Sequence, residues 1–452
     1  MSSDFQWSPQ PAAAVWVAAR SRELRRGLPF AEELKNRLLA EAGVRFDDLI
    51  DTIFLGKDDP RIAGARESGW IPVPDSRGFD PFTNPTGIFP QLAVTRKPRP
   101  AEFLSVDLKV ESIADFLAAW KLDREIIGDP GSRWRWASVE ERGDVVLGIV
   151  ERLAWRGLCT QESADPKQIS NVLDQFRKRE RNFDDDAAGF VYSDRQLDQA
   201  VAATDRDIAC QLFFTAEREY WMSRNRAARA QYERQQRLGI GWANHDHHTY
   251  RSSREYFSRL VGLWEKLGFI CRERFYAGRE AGWGAQLMEH PVTGIVTFND
   301  VDLSPDEIRG DFAHGLLSRG KSLGTVGLWC ALHGESVLQA GMHHLEAQFS
   351  FDALRDQLAA EQIKMGKPFT DFPFLKQAFT EGERWPVAEN RVARLLKENL
   401  ITQDQAEKFR TQGAIGSHLE NLERNDGFKG FNQTGVSEII TATDPRKHLA
   451  ST

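Results

Sequence analysis

Apolar positions recur at helical spacing in some stretches of the chain and alternate in others. From Pro29 to Leu55, Leu34, Leu38, Leu39, Leu49 and Ile50 form a stripe that predicts a helix. Gly56 to Pro100 is rich in Gly, Pro and Asp, so irregular, turn-heavy structure is expected there. Phe103 to Val110 reads as a strand and Ser112 to Leu122 as a helix. Further helices are expected at Val139 to Arg156 and Lys167 to Lys178. The mixed-charge run Arg177 to Asp186 reads as a solvated linker or helix end. A long charged helix, interrupted near its middle, is expected from Ser193 to about Leu238. No sequence repeat stands out in this half.

The C-terminal half alternates strands with helices. A strand around Trp242 to Tyr250 is followed by a helix from Ser253 to Leu267, where Tyr256, Phe257, Leu260, Val261, Trp264 and Leu267 share one face. Gly268 suits the left-handed position after it. Strands follow at Phe269 to Tyr276, Gly284 to Glu289 and Ile295 to Asp300, with the turn His290 to Gly294 between the last two. The order is βαβββ. A second unit opens with a strand ending near His344 and a helix from Ser350 to Gln362, with less regular structure to about Ala388. Two such units, with histidines on their first strands, describe the vicinal-oxygen-chelate architecture, whose curled sheet holds a metal. The expected fold class is α+β: residues 215–452 form this metal-binding catalytic domain, and residues 1–214 a mostly helical region of unknown role.

Composition narrows the function classes. The 452 residues are 41% hydrophobic and 28% charged, as expected of a soluble globular protein. A net charge of −7 argues against nucleic acid as a partner. No run approaches the ~20 apolar residues that span a bilayer, so no membrane partner is expected. The N-terminus lacks a basic segment before an apolar stretch, so no signal peptide is expected and the location is expected to be cytoplasmic. Cys159, Cys210, Cys271 and Cys330 are widely spaced and read as ordinary buried thiols. Thirteen tryptophans point mostly to aromatic core packing.

The histidines are segregated. All ten lie between His245 and His448, with clusters at His245-Asp246-His247-His248 and His343-His344. Alternation along a strand puts His245 and His247 on one face and Asp246 and His248 on the other. The pair His245 and His247 could itself chelate a metal. His248 reads as a hydrogen-bonded core residue, His343 as structural and facing away from His344, and His290 as a turn residue. His314, His333, His418 and His448 have no ligand-like context. Arg251, four residues after His247, falls on the His247 face of an extended strand.

From about residue 215 to 445 the chain resembles the 2-oxoadipate dioxygenase/decarboxylase family, also called hydroxyglutarate synthases. Asp246-His-His-Thr-Tyr-Arg251 resembles the family's Asp-His-x-Ala-Phe-Arg, and Met342-His-His-Leu345 resembles its Ile-Asn-His-Leu-Thr-Pro-Arg. Arg424-Asn-Asp-Gly-Phe428, with Val436 to Thr443, resembles its C-terminal Arg-Arg-Asp-Gly-Phe segment. Glu346-Ala-Gln348 stands where the family has Thr-Pro-Arg. The resemblance implies an Fe(II) enzyme that uses O2 to decarboxylate a small 2-oxo acid, 2-oxoadipate-like, and to hydroxylate the shortened product. It implies His247 and His344 as metal ligands and a carboxylate third. Glu389 is the nearest fit to the family's Ile-Glu-x-x-x-Arg-Leu context, with Glu346, Glu381 and Glu383 as fallbacks. Arg251 would clamp the substrate carboxylate in a bidentate grip. Two other classes remain: a Lewis-acid lyase or isomerase on the same scaffold, and a non-catalytic binding protein.

Overall fold

The structure, a computed structural model, describes residues 7–74, 78–158, 160–320, 322–432 and 444–447. Pro11 and Pro29 each open a helix, Pro11–Gly27 and Pro29–Ala42, at the position where a missing N–H costs nothing. The second helix is shorter than the apolar stripe predicts. Gly43 adopts φ 66°, its N–H returns to the last turn, and the chain leaves the helix there. Leu49 ends a short 3-10 turn, and Ile50 begins a strand.

Seven strands follow: β1 (Ile50–Leu55), β2 (Ile71–Pro72), β3 (Phe79–Thr83), β4 (Gln91–Thr95), β5 (Leu104–Lys109), β6 (Trp134–Arg142) and β7 (Val145–Arg152). They form one sheet in the order β2-β3-β4-β1-β5-β7-β6. The helix expected at Val139 to Arg156 is therefore two strands and a tight turn. Gly143 provides the turn at φ 60°, and the β-branched run Val145-Val-Leu-Gly-Ile-Val150 favours the pleated surface. The first half contains more helix than strand, and it also carries this sheet, which the sequence pattern did not announce.

The long charged helix is three: Asp186–Ala203, Arg206–Ser223 and Arg226–Arg237. The breaks fall at Asp205 and Asn225, whose side chains accept backbone N–H groups of the following helices. The run read as a solvated linker is partly buried. Arg179 and Arg181 are 6% and 7% exposed, and both pair with the fully buried Glu217.

The C-terminal sheet contains β8 (His245–Arg251), β9 (Ile270–Tyr276), β10 (Trp283–Glu289), β11 (Val296–Asp302), β12 (His344–Gln348), β13 (Thr370–Phe372), β14 (Leu375–Phe379) and β16 (Ala414–Arg424), with β15 (Glu383–Trp385) beside β16. The order is β13-β14-β16-β12-β8-β11-β10-β9. The first unit follows the sequence pattern closely, including Gly268 at φ 98°. In the second unit the strand begins at His344 instead of ending there. Ser336–Ala340 forms a wide helical turn, and Gly341 at φ 75° redirects the chain into β12. Two βαβββ units thus meet edge to edge through antiparallel first strands, the vicinal-oxygen-chelate arrangement.

The two sheets repeat one plan. In each, a first strand runs parallel to the last strand of its unit (β1 with β4, β8 with β11), and antiparallel to the first strand of the next unit (β1 with β5, β8 with β12). That strand in turn runs parallel to β7 or β16. The registers also coincide. Thr52 faces Asp107 and Phe54 faces Ser105, as His247 faces Glu346 and Thr249 faces His344. Both pairs carry a bulge at the same place, with Asp51 and Asp246 as the extra residues. Each bulged aspartate pairs with an arginine at the matching point of the outer strand, Asp51 with Arg152 and Asp246 with Arg424. A common architecture therefore underlies both halves, although no repeat is visible in the sequence. A single large hydrophobic cluster runs through both, from Trp16 and Leu24 to Trp264 and Leu419.

Candidate metal centre

His247, Thr249 and Arg251 project from alternate positions of β8 onto the face shared by His344 and Glu346 of β12 and Glu420 of β16. His247 is fully buried. Its Nδ1 lies 3.0 Å from Asp246 Oδ1. Asp246 accepts two hydrogen bonds from the Arg424 guanidinium, each 3.0 Å, and one of 2.8 Å from Gln348 Nε2. Burial alone would raise the Asp246 carboxyl, but Arg424 and His247 hold it well below the usual range. A carboxylate fixed in this way orients the imidazole and leaves Nε2 to point into the trough. Burial lowers His247 to about 4, so the ring is neutral, as a ligand must be.

His247 Nε2 touches Glu346 Oε1, and that oxygen is 3.6 Å from His344 Nε2. Glu420 Oε2 is 3.2 Å from the same His344 nitrogen, and Gln377 Nε2 donates 2.9 Å to the other Glu420 oxygen. His247, His344 and Glu346 offer ligand atoms within 4.8 Å of one another. Two neutral imidazoles and two carboxylates thus converge. Burial, and then the charge of Glu420, push the Glu346 carboxyl well up; burial pushes up Glu420 as well. The contact of His247 Nε2 with Glu346 Oε1 lacks hydrogen-bond geometry, and Glu346 Oε2 is buried without a hydrogen-bond partner among the described residues. A divalent cation would satisfy His247 Nε2 and Glu346 Oε2 and offset the repulsion of the two carboxylates, so the residues fit a metal.

Some expectations are redirected. Glu389 does not reach the histidines. It begins the amphipathic helix Glu389–Lys397, its side chain is 64% exposed, and it pairs with Arg410 at 2.7 Å. Glu381 is exposed, and Glu383 accepts the backbone N–H of Arg226. Of the fallbacks only Glu346 lies at the cluster. Glu420 was missed altogether; the alternation His418, Glu420, Leu422 along β16 is the signal that marks it. The bulge at Asp246 also undoes strict alternation. His245 turns to the side of His248, with ring centroids 5.4 Å apart, and lines the space between the two sheets, so no chelating pair with His247 forms.

His248 is a core residue, bonded to Arg218 at 3.3 Å and packed on Phe214. His343 lies against Trp329, and its Nδ1 is 2.8 Å from His344 Nδ1. His418 has more context than expected, because its ring joins those of His343 and His344. His290 caps its own turn, accepting from Val292 and Thr293. His314 is exposed between Glu265 and Asp311, and His333 bonds the Ile415 carbonyl. His448 and Val436 to Thr443 lie outside the described residues.

A small cavity of about 60 Å³ opens beside these side chains, walled by aromatic residues including Phe298, Phe379 and Phe431. At ~10–15 Å³ per water this is room for a few water-sized groups. Arg251 lines it and is 3% exposed. Its Nε lies 3.4 Å from Asp300 Oδ2, and its terminal nitrogens make no hydrogen bond among the described residues. Burial raises Asp300 to about 7 despite Arg251, and Asp300 Oδ1 has no hydrogen-bond partner among the described residues. The cavity therefore offers two planar guanidinium donors next to the histidine and carboxylate cluster.

No family model matches the chain, and no curated protein matches it. Among solved structures, a putative hydrolase from Shewanella frigidimarina is 14% identical over 49% of this chain and 96% of that one, with a TM-score of 0.34. A variant of 4-hydroxymandelate synthase from Streptomyces coelicolor is 13% identical over 88% and 97%, with a TM-score of 0.26. Methylmalonyl-CoA epimerase from Mycobacterium tuberculosis is 10% identical over 40% and 88%, with a TM-score of 0.23. None of these overlaps carries a residue role from those proteins to this chain. No helix among the described residues is long and apolar enough to cross a membrane.

Proposed function

We propose that the protein is a mononuclear metal-dependent enzyme acting on a small 2-oxo acid, and that it is an Fe(II) dioxygenase which decarboxylates that acid and hydroxylates the remainder. His247 and His344 would hold the metal together with a carboxylate from Glu346 or Glu420. The observation that supports the substrate class most directly is Arg251. Its terminal nitrogens, which make no hydrogen bond among the described residues, share the cavity with His344, Glu346 and Glu420. A guanidinium in that place grips a carboxylate in plane. When bound, Fe(II) with two histidines and one carboxylate supplies a site where a chelating acid and O2 can bind together. Asp246 holds His247 in orientation, Arg251 places the acid, and the aromatic walls exclude water.

A second reading has its own observation. Glu346 and Glu420 both face His344, so both carboxylates would be able to hold a metal beside the two histidines, leaving it less open to a chelating acid and O2 together. That arrangement suits a Lewis-acid isomerase or lyase. The deciding experiment loads anaerobic protein with Fe(II) and follows O2 uptake and CO2 release over a panel of 2-oxo acids. Stoichiometric O2 uptake with CO2 release supports the dioxygenase. Turnover without O2 uptake, better supported by Mn, Zn or Ni, supports the Lewis-acid reading. Failure to bind any divalent metal sinks both.

A further inference from the structure

The face of the N-terminal sheet that matches the candidate metal-binding face has a cavity and one carboxylate, Asp107 in the place of Glu346, but no histidine at the matching positions. Thr52 stands in register where the second sheet has His247, Ser105 where it has His344, and Gly148 where it has Glu420. The place of the last carboxylate is filled. A Cβ on Gly148 would meet Asp107 Oδ1 at 2.3 Å and Trp136 Nε1 at 2.4 Å, because the indole crosses that strand to donate to Asp107 at 2.8 Å. Beside this contact lies a cavity of about 1050 Å³, walled by Phe54, Phe79, Trp134 and Trp136.

Charge decides what this cavity suits. Asp107 lines it and is 2% exposed. Its Oδ1 accepts from Trp136; its Oδ2 accepts no hydrogen bond, and Asp107 has no ion-pair partner among the described residues. Glu141 adds negative charge to the lining, Glu162 pairs with Arg133 at 3.7 Å, and Arg99 is the one cation of the lining among the described residues. Trp134 Nε1 is buried without a hydrogen-bond partner among the described residues. We propose that this cavity is a second ligand site, which takes an organic ammonium: a protonated or quaternary amine on an apolar body. The carboxylate meets the cationic head, and the aromatic faces attract the same charge through their quadrupoles while covering the apolar part. Burial, with the charge of Asp51, raises Asp107 to about 7 against the hydrogen bond from Trp136 and the more distant charge of Arg152. This site is independent of the metal centre and of the reading given to it.

The test uses three probes with one apolar body: phenethylamine, phenethyl alcohol and hydrocinnamate. Each is titrated calorimetrically into the full chain at about pH 8, above the Asp107 value of about 7. The amine should bind at least ~tenfold tighter than the alcohol, and hydrocinnamate weakest. Asp107→Asn should bring amine and alcohol within ~threefold of each other, with metal content unchanged. Trp134→Leu should weaken the amine by ~fivefold. Equal binding of amine and alcohol, preference for hydrocinnamate, or no binding of the amine overturns the proposal. The wild-type series decides even if Asp107→Asn fails to fold.

Discussion

Asp246→Asn separates two jobs of one carboxylate. In the folded protein Asp246 holds the Arg424 guanidinium and orients His247; the ion-paired side chains are 8% and 3% exposed. Removing the charge leaves a buried arginine unpaired, which costs ~3–5 kcal/mol of stability, with little relief from solvent at that burial. Loss of the partner that orients a metal-ligating histidine lowers metal affinity ~10–100-fold, or about 1.4–2.7 kcal/mol. The repeated plan of the fold supplies the control. Asp51→Asn breaks the equivalent pair with Arg152, where the side chains are 13% and 18% exposed, but touches no histidine. It should cost somewhat less stability, ~2–4 kcal/mol, and leave metal affinity unchanged. The assays are thermal unfolding of the metal-free proteins and competitive titration of Co(II) or Zn(II). Because Asp246 is held below its ordinary value, its contribution is complete above about pH 4 and fades as pH falls through the folded value. The stability gap between wild type and Asp246→Asn should therefore close on acidification. The reasoning fails if Asp246→Asn binds metal as tightly as wild type, or if Asp51→Asn weakens metal as much.

His247→Ala and His344→Ala should each lose stoichiometric metal while His248→Ala keeps it, by metal analysis; iron retained in either of the first two refutes the ligand assignment. Glu389→Gln should leave metal content untouched, since its carboxylate faces solvent beside Arg410, whereas Glu346→Gln and Glu420→Gln should each lower metal affinity by ~tenfold or more. Arg251→Lys should keep the metal but raise KM and lower kcat together, because a point charge does not fix a carboxylate in plane; wild-type kinetics would remove the clamp. Glu217→Gln should destabilise by ~3–5 kcal/mol at neutral pH in thermal unfolding, as it strands Arg179 and Arg181 in the interior. Against burial, those arginines hold Glu217 below its ordinary value, so this loss too shrinks as pH falls.

The sequence by itself determined what is local. The spacing of Phe257, Leu260, Val261 and Trp264 set a helix, and the alternating runs around it set the first βαβββ unit, because amphipathic periodicity is decided within a few residues. The clustering of histidines located the candidate metal centre in the C-terminal half, and the interval from His247 to Arg251 put both on one face of β8, with Arg251 lining the cavity. Tertiary structure decided the rest. The carboxylates near the histidines come from β12 and β16, and Glu420 lies far along the chain from His247, so no spacing rule links them. Glu389 has a plausible sequence context but sits on a helix, where its first-turn position faces water. The bulge at Asp246 turns His245 away from His247, and a bulge is a property of two paired strands, not of either alone. The same reason hides the repeat. Thr52, Ser105 and Gly148 share nothing with His247, His344 and Glu420 as residue types; strand order, register and the paired aspartates and arginines show that they hold the same places.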